Sequence, residues 1–199
     1  MQISPDDVKK LREKTGVGIM DCKKALAETN GDFTKAVEYL RKKGIEVATK
    51  RSGRQASQGT IGSYIHLGGK IGVLVEVNCE SDFVAKSDQF LTFVKDISMH
   101  IAAANPSWVS PDEVPSDVLD KEKDILREQA LKTGKPEKVV EKIIEGKLKK
   151  FYAEQCLLDQ AYVKDPDKTI KQLLDELMAK TGEKCLIKRF SRFQVGEEQ

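Results

Sequence analysis

Between Ile71 and Ala104 the hydrophobic pattern changes period once, and that change limits what the stretch can fold into. Ile71, Val73, Val75 and Val77 recur at every second position, as in a strand with one buried face. Phe90, Phe93, Val94, Ile97, Ile101 and Ala104 then recur at helical spacing. A strand must therefore run into a helix that covers it. The join is Asn78-Cys79-Glu80-Ser81-Asp82-Phe83-Val84-Ala85-Lys86, which puts Asp82 and Phe83 on a corner. A corner between two rigid elements can display binding residues because the scaffold fixes their position. Two readings of Phe83 stand at this point: an aromatic that closes the core at the strand exit, or one turned outward to a partner.

The flanking segments supply the rest of a sheet. Ile61, Ser63, Ile65 and Leu67 alternate with small and polar residues, and Gly68-Gly69 offers a tight turn, so Ile61–Leu67 and Ile71–Cys79 read as a hairpin. Proline disfavours helix in the residue before it, so Asn105-Pro106 ends the helix that follows the corner. Lys184 to Val195 reads as a further strand. Cys185, Ile187, Phe193 and Val195 share one alternation, and Leu186, Lys188, Phe190 and Arg192 the other. Apolar residues on both suit a strand with one face on helices and the other against a partner.

Three short helices precede the sheet. Ser4-Pro5-Asp6-Asp7 is a helix start: a hydroxyl cap, proline where its missing N–H costs nothing, and carboxylates at the positive end of the dipole. Val8 and Leu11 mark its buried stripe, and Gly16 and Gly18 bound the loop that follows Lys14. A second helix from about Asp21 buries Cys22, Ala25 and Leu26. A third, capped by Asp32, buries Phe33, Ala36, Val37 and Leu40 and should end near Gly44. So small a module suits docking. Ile19 and Met20, after the glycine-flanked loop, are either core filling or exposed apolar contacts, with at least one expected to remain exposed. Arg41-Lys42-Lys43 and Lys50-Arg51-Ser52-Gly53-Arg54 form a basic run. Without interleaved aromatics it reads first as a solvated helix end, and phosphate or RNA contact is the other reading.

Beyond the sheet, Ser110-Pro111-Asp112-Glu113 is another helix start. One helix should run from Ser116 to Lys132; a second, from Pro136, carries Val139, Val140, Ile143, Ile144, Leu148 and Phe151 on one face. The short connection Thr133-Gly134-Lys135 predicts a helical-hairpin arm over about 115–155. Leu157 to Asp167 reads as irregular, with Val163-Lys164-Asp165-Pro166 a turn before a helix that buries Ile170, Leu173, Leu174 and Leu177 and ends at Gly182. The expected architecture is α+β: an N-terminal three-helix module and basic linker over 1–54, then over 55–199 a small antiparallel three-stranded sheet packed with helices and a helical hairpin.

Several function classes are excluded by what the sequence lacks. With 34 basic and 32 acidic residues among 199, a net charge of +2 leaves no excess of the kind a dedicated nucleic-acid binder carries. Met1 to Asp7 has no apolar signal core and no stretch approaches a membrane span, so a cytoplasmic protein is expected. Cys22, Cys79, Cys156 and Cys185 are far apart, without metal-binding spacing, and read as four free thiols serving as small apolar residues. His100 is a lone helix histidine, expected to be an ordinary surface or core-edge residue. No phosphate-binding glycine loop, dinucleotide fingerprint or nucleophile elbow occurs, so neither an enzyme nor a cofactor is expected.

With these residues in view, the chain resembles the bacterial elongation factor Ts family over nearly its whole length. Leu11-Arg12-Glu13-Lys14-Thr15-Gly16-Val17-Gly18-Ile19-Met20-Asp21-Cys22-Lys23-Lys24-Ala25-Leu26 is similar to the family's first signature. Asn78-Cys79-Glu80-Ser81-Asp82-Phe83-Val84-Ala85 is similar to its second, usually written with threonine before the Asp-Phe. Ser110-Pro111-Asp112-Glu113-Val114-Pro115 and Arg192-Phe193-Gln194-Val195-Gly196-Glu197 extend the resemblance. It implies a guanine-nucleotide exchange factor for elongation factor Tu. The N-terminal module, similar to ubiquitin-associated domains, would dock on the G domain of Tu through Arg12, Ile19 and Met20. Asp82 and Phe83, flanked by Ser81 and Val84, would enter that domain near the Mg²⁺ side of the nucleotide, and the turn at Val163 and Lys164 would make a further contact. The single hairpin suits the family's short form, for which the resemblance implies a homodimer paired through the sheet. Taken without the resemblance, the three-helix module also suits a ubiquitin-like-protein adaptor, and Lys50, Arg51 and Arg54 suit an RNA binder.

Overall fold

A computed structural model of the chain describes residues 3–51, 53–131 and 137–197. The order of elements is α1 (Pro5–Thr15), α2 (Ile19–Glu28), α3 (Phe33–Arg51), β1 (Gln58–Ile65), β2 (Ile71–Cys79), α4 (Asp82–Ala85), α5 (Asp88–Ala104), α6 (Ser116–Leu131), α7 (Glu137–Gln155), β3 (Ala161–Tyr162), β4 (Asp165–Thr169), α8 (Ile170–Thr181) and β5 (Cys185–Gln194). The architecture is α+β, with eight helices among the described residues and an antiparallel sheet in the order β1-β2-β5. Two compact units cut across chain order. One holds Met1–Thr60, Val77–Phe93 and Gln172–Leu186; the other holds Ile61–Glu76, Val94–Lys171 and Ile187–Gln199.

In the first unit, the three N-terminal helices enclose Val8, Leu11, Cys22, Ala25, Leu26, Ala36 and Leu40. Ser4 caps α1, its Oγ accepting the Asp7 N–H at 3.1 Å. At the other end, Gly16 adopts φ +67°, which an L side chain resists, and its N–H reaches the Arg12 carbonyl at 2.7 Å. α3 departs from expectation by continuing past Gly44 to Arg51. Gly44 is a point of close approach rather than a stop, since a Cβ there would lie 3.4 Å from Ala179 Cβ on α8. A Cβ on Gly16 would likewise stand 3.1 Å from Lys180 Cε, so the last turn of α8 packs against the N-terminal helices. Of the basic run, Ser52 and the side chains of Lys50 and Arg51 lie outside the described residues.

The sheet buries Val73, Val75, Val77 and Cys79 of β2. On β1 the alternation is inverted relative to what hydrophobicity suggests: Ile61 and Ile65 are 67% and 68% exposed, while Gly62 faces α5. A Cβ on Gly62 would stand 2.8 Å from Ser98 Oγ and closer still to a Val94 methyl, so only glycine lets the helix lie this near the strand. β5 also departs from simple alternation. Cys185 and Ile187 are buried, yet Phe193 and Val195, of the same parity, are exposed, whereas Phe190 and Arg192 are partly covered. The side chain of Arg192 reaches the Ala102 carbonyl of α5 at 3.5 Å. The inward parity thus changes between Ile187 and Phe190, as one extra residue in a strand produces.

The second unit contains the arm. α6 and α7 share a core of Leu126, Ala130, Val140 and Ile144, with Ile143 and Leu148 beside it. Val139, placed on the same face by its spacing, is instead exposed, and Phe151 leaves the arm core for Trp108, with ring centroids 6.2 Å apart. The connection Thr133-Gly134-Lys135 and the helix start at Pro136 lie outside the described residues.

The stretch read as irregular is in fact a short turn at Leu157–Asp159 followed by an antiparallel ladder pairing Ala161 with Thr169 and Tyr162 with Asp165. Val163 and Lys164 sit at its tip. Proline 166 is tolerated because the ribbon has two strands and its outer side needs no ladder donor. His100, expected at the surface or core edge, is fully buried beneath this tip. Its Nδ1 accepts the Val163 N–H at 3.3 Å, so the ring proton lies on Nε2 and is donated to Gln160 Oε1 at 2.9 Å. Gln160 is oriented in turn by its amide nitrogen, which donates to the Glu154 carbonyl at 2.7 Å. Both ring nitrogens are thereby used by the neutral form. Burial pulls the His100 pKa below its ordinary value, opposed in part by the Gln160 bond.

Two outcomes follow from this packing. Gly62→Ala should lower stability by ~1–3 kcal/mol through overpacking, read as a reduced midpoint of thermal or denaturant unfolding. As pH falls below about 6.5 the unfolded chain takes up the His100 proton before the folded one does, so stability is complete above that range and declines below it. Denaturant unfolding at pH 7 and pH 5 checks this, together with a His100 NMR titration whose midpoint should fall below the ordinary histidine value.

Candidate functional site

The corner is built around Ser81. Its hydroxyl caps α4 by accepting the Val84 N–H at 3.2 Å and donates to Glu183 Oε1 at 2.6 Å. Its own N–H donates to Glu183 Oε2 at 2.9 Å. The Ser81 carbonyl accepts the Ala85 N–H at 3.2 Å and the Cys79 thiol at 3.1 Å. Every polar group of this one residue is thus engaged inside the corner. Threonine would supply the same hydroxyl, so serine in this position keeps the chemistry the corner needs.

The adjacent residue adds a second brace. Glu80 Oε1 accepts the Lys184 N–H at 2.6 Å, Glu80 Oε2 pairs with Arg54 at 3.3 Å, and the Lys184 ammonium reaches the Arg54 carbonyl at 2.7 Å. Arg54 therefore serves the fold here. Cys79 and Cys185, both buried close by, are protonated thiols. Burial first, and then the Glu183 charge, raises the Cys79 pKa, while burial pushes that of Cys185 up to about 12. All four cysteines are free and buried.

Held this way, the short helix divides its side chains between core and solvent. Val84 is only 6% exposed and Ala85 and Phe90 are buried, whereas Phe83 is 82% exposed. Phe83 therefore does not close the core. Burying a phenylalanine is worth ~1.5–3 kcal/mol, so a side chain held this far out on a braced corner is apolar surface left for something else to cover. Asp82 stands beside it, 2.8 Å from the Lys86 ammonium, which holds its carboxyl below the usual carboxylate range. Of the four residues expected at this site, Asp82 and Phe83 face solvent, Ser81 is a brace, and Val84 turns inward and presents no exposed apolar surface.

The other expected contacts divide between the two units. α2 begins at Ile19, two residues earlier than its spacing suggests, so Ile19 and Met20 occupy its first turn, where they are 53% and 73% exposed. Arg12 is exposed on the last turn of α1. These three share a unit with the corner. Val163 and Lys164 belong to the other unit; Val163 is exposed, and the Lys164 ammonium is bonded to Asp96 at 2.7 Å. Glu183, Glu80 and His100 were missed by sequence reasoning as residues that hold these positions. Glu183 and Ser81 are 102 residues apart, and nothing local marks the pair. Among the described residues, no group of three or more histidine, cysteine or acidic side chains could hold a metal ion, and no helix is long and apolar enough to cross a membrane.

Comparison with known proteins identifies the family of the chain. The family profile for elongation factor TS matches residues 13–197. Elongation factor Ts of Geobacter sulfurreducens is 59% identical over 197 residues, covering 99% of this chain and 91% of the relative. That of Syntrophus aciditrophicus is 58% identical over 198 residues, covering 100% and 98%. That of Caldanaerobacter subterraneus subsp. tengcongensis is 58% identical over 195 residues, covering 98% of each chain. A match this long, taking in both the exposed Asp82-Phe83 corner and the Ile19-Met20 turn, shows that the chain belongs to the elongation factor Ts family.

Proposed function

We propose that this chain is a guanine-nucleotide exchange factor for elongation factor Tu in translation elongation, with Asp82 and Phe83 as the element that acts on the GTPase. The observation that carries the reading is Phe83, exposed beside Asp82 on a corner whose backbone is braced from both sides, in a member of this family. The three-helix module, similar to ubiquitin-associated domains, docks on the G domain through Arg12, Ile19 and Met20. The Val163-Lys164 tip makes a further contact. Asp82 and Phe83 then enter near the Mg²⁺ and phosphate side of the nucleotide site.

Exchange of this kind needs no covalent step. A factor that binds nucleotide-free Tu more tightly than the GDP form must, by linkage, weaken GDP binding by the same factor. The apolar ring supplies surface to be buried in the nucleotide-free state, and its rigidity keeps the ordering cost of that insertion small. The RNA and ubiquitin-adaptor readings are less favoured, because the family match extends far beyond the three-helix module and its basic run.

The sheet supports a second part of the proposal, a homodimer. Ile61, Ile65, Leu74, Phe193 and Val195 are exposed on the strands of the second unit and just beyond them, apolar side chains that a partner could cover. A second copy of the chain, paired through this sheet, is the occupant the short architecture implies.

Three outcomes test the reading. Phe83→Ala should slow the release of labelled GDP from purified elongation factor Tu while leaving the thermal midpoint unchanged. Ile19→Ala and Met20→Ala should mainly weaken complex formation, by ~1–4 kcal/mol in total, seen as a higher concentration for half-maximal stimulation. Sedimentation at micromolar concentration should show a dimer, and Ile61→Glu should shift it toward monomer; a fully active wild-type monomer contradicts the dimer.

A further inference from the structure

We infer that Glu183 is a positioning residue for nucleotide exchange, and that its carboxylate sets the direction in which Phe83 is presented. The inference rests on the reading of Asp82-Phe83 as the acting element. α4 contains only four residues, too few to be stable through its own hydrogen bonds. Its conformation must come from its start, and its start is Ser81. Glu183 accepts both Ser81 donors, the N–H at 2.9 Å and the hydroxyl at 2.6 Å, and this leaves the Ser81 oxygen with a lone pair turned to the Val84 N–H. Bonds to a charged acceptor are roughly twice as strong as neutral ones, and two of them from one carboxylate fix orientation as well as distance.

Glu183 is itself held firmly. Gly182 ends α8 at φ +75° with its N–H on the Met178 carbonyl at 3.0 Å, and the Glu183 N–H lies 3.4 Å from Thr181 Oγ1. Lys184, the next residue, is braced by Glu80. The same end of α8 meets Gly16 through Lys180 and Gly44 through Ala179. One segment, Ala179–Lys184, therefore lies against both the three-helix module, at Gly16 and Gly44, and the corner that carries Phe83. Without the Glu183 carboxylate the core beneath Val84 and Phe90 keeps its packing, but Ser81 loses the acceptor of its N–H and its hydroxyl hydrogen, the start of α4 loosens, and the ring of Phe83 samples other directions. Docking would be retained and the productive insertion would become rarer.

The test is saturation kinetics of labelled GDP release from elongation factor Tu, with the full-length chain carrying Glu183→Ala, Glu183→Gln or Phe83→Ala. Glu183→Ala should lower the maximal stimulated rate about tenfold, with the half-saturating concentration changed by less than about twofold. Glu183→Gln keeps the shape and one acceptor oxygen and should fall between the two, about threefold down. Hydrogen exchange at the Ser81 and Val84 amides should accelerate in Glu183→Ala while the α5 amides stay protected, a readout that general loss of stability would not give. Should Glu183→Ala fail to fold, Glu183→Gln decides. The inference is overturned if folded Glu183 variants reach the wild-type maximal rate while Phe83→Ala is slow, or if only their half-saturating concentration changes. A wild-type rate for Phe83→Ala would instead remove the reading of the corner itself.

Discussion

Glu183 and Ser81 meet across 102 residues of chain, and the display of Phe83 depends on that meeting. A strand-to-helix corner without such a brace would settle its aromatic side chain into the nearest apolar cover, because burial stabilises a phenylalanine by ~1.5–3 kcal/mol. Here the backbone is not free to do so. Ser81 is bonded at its amide, hydroxyl and carbonyl, and Val84 and Ala85 are anchored below. The exposed ring is a consequence of polar interactions that leave the chain no alternative path. The arrangement also explains why a charge is used: a carboxylate can accept from two donors of one residue at once, and the ordered partners remove the entropy that a flexible loop would keep.

The same economy recurs at the Val163-Lys164 tip. A buried, neutral His100 accepts the Val163 N–H and donates to Gln160, which is fixed by the main chain. In both places a polar group from a distant part of the sequence holds a short exposed segment, and the exposed side chains themselves carry few structural duties. Residues that hold can then be separated from residues that touch a partner. Phe83, Ile19 and Met20 are exposed and are the residues proposed for the second set, whereas Ser81, Glu183 and His100 belong to the first.

Much of this was legible in the sequence where the signal is local. The period-two run to Val77 and the helical run from Phe90 located β2, α5 and the corner between them. Ser4-Pro5 located the start of α1, and both family signatures pointed at the exposed residues. What could not be read came from tertiary contacts. Gly44 looked like a helix end, but its missing side chain admits Ala179 of α8 while α3 continues to Arg51. Strict alternation makes Phe193 a companion of Cys185, but the parity changes between Ile187 and Phe190. The Leu157–Asp167 stretch looked irregular because a two-residue strand has no periodicity to detect. Glu183 carried no signal at all, since an acid after a helix-ending glycine is ordinary and only the fold brings it to Ser81.

The proposed entry of the Asp82-Phe83 corner into the nucleotide-binding domain of elongation factor Tu can be observed in the complex itself. Its most direct measurement is photo-crosslinking from position 83, with a benzophenone-bearing phenylalanine in place of Phe83 and the labelled peptide identified by mass spectrometry. A crosslink to the G domain beside the nucleotide's Mg²⁺ and phosphate site is expected, formed in the nucleotide-free complex and suppressed by excess GDP. A complex that forms normally, yet shows no crosslink from position 83 to that domain, would contradict it.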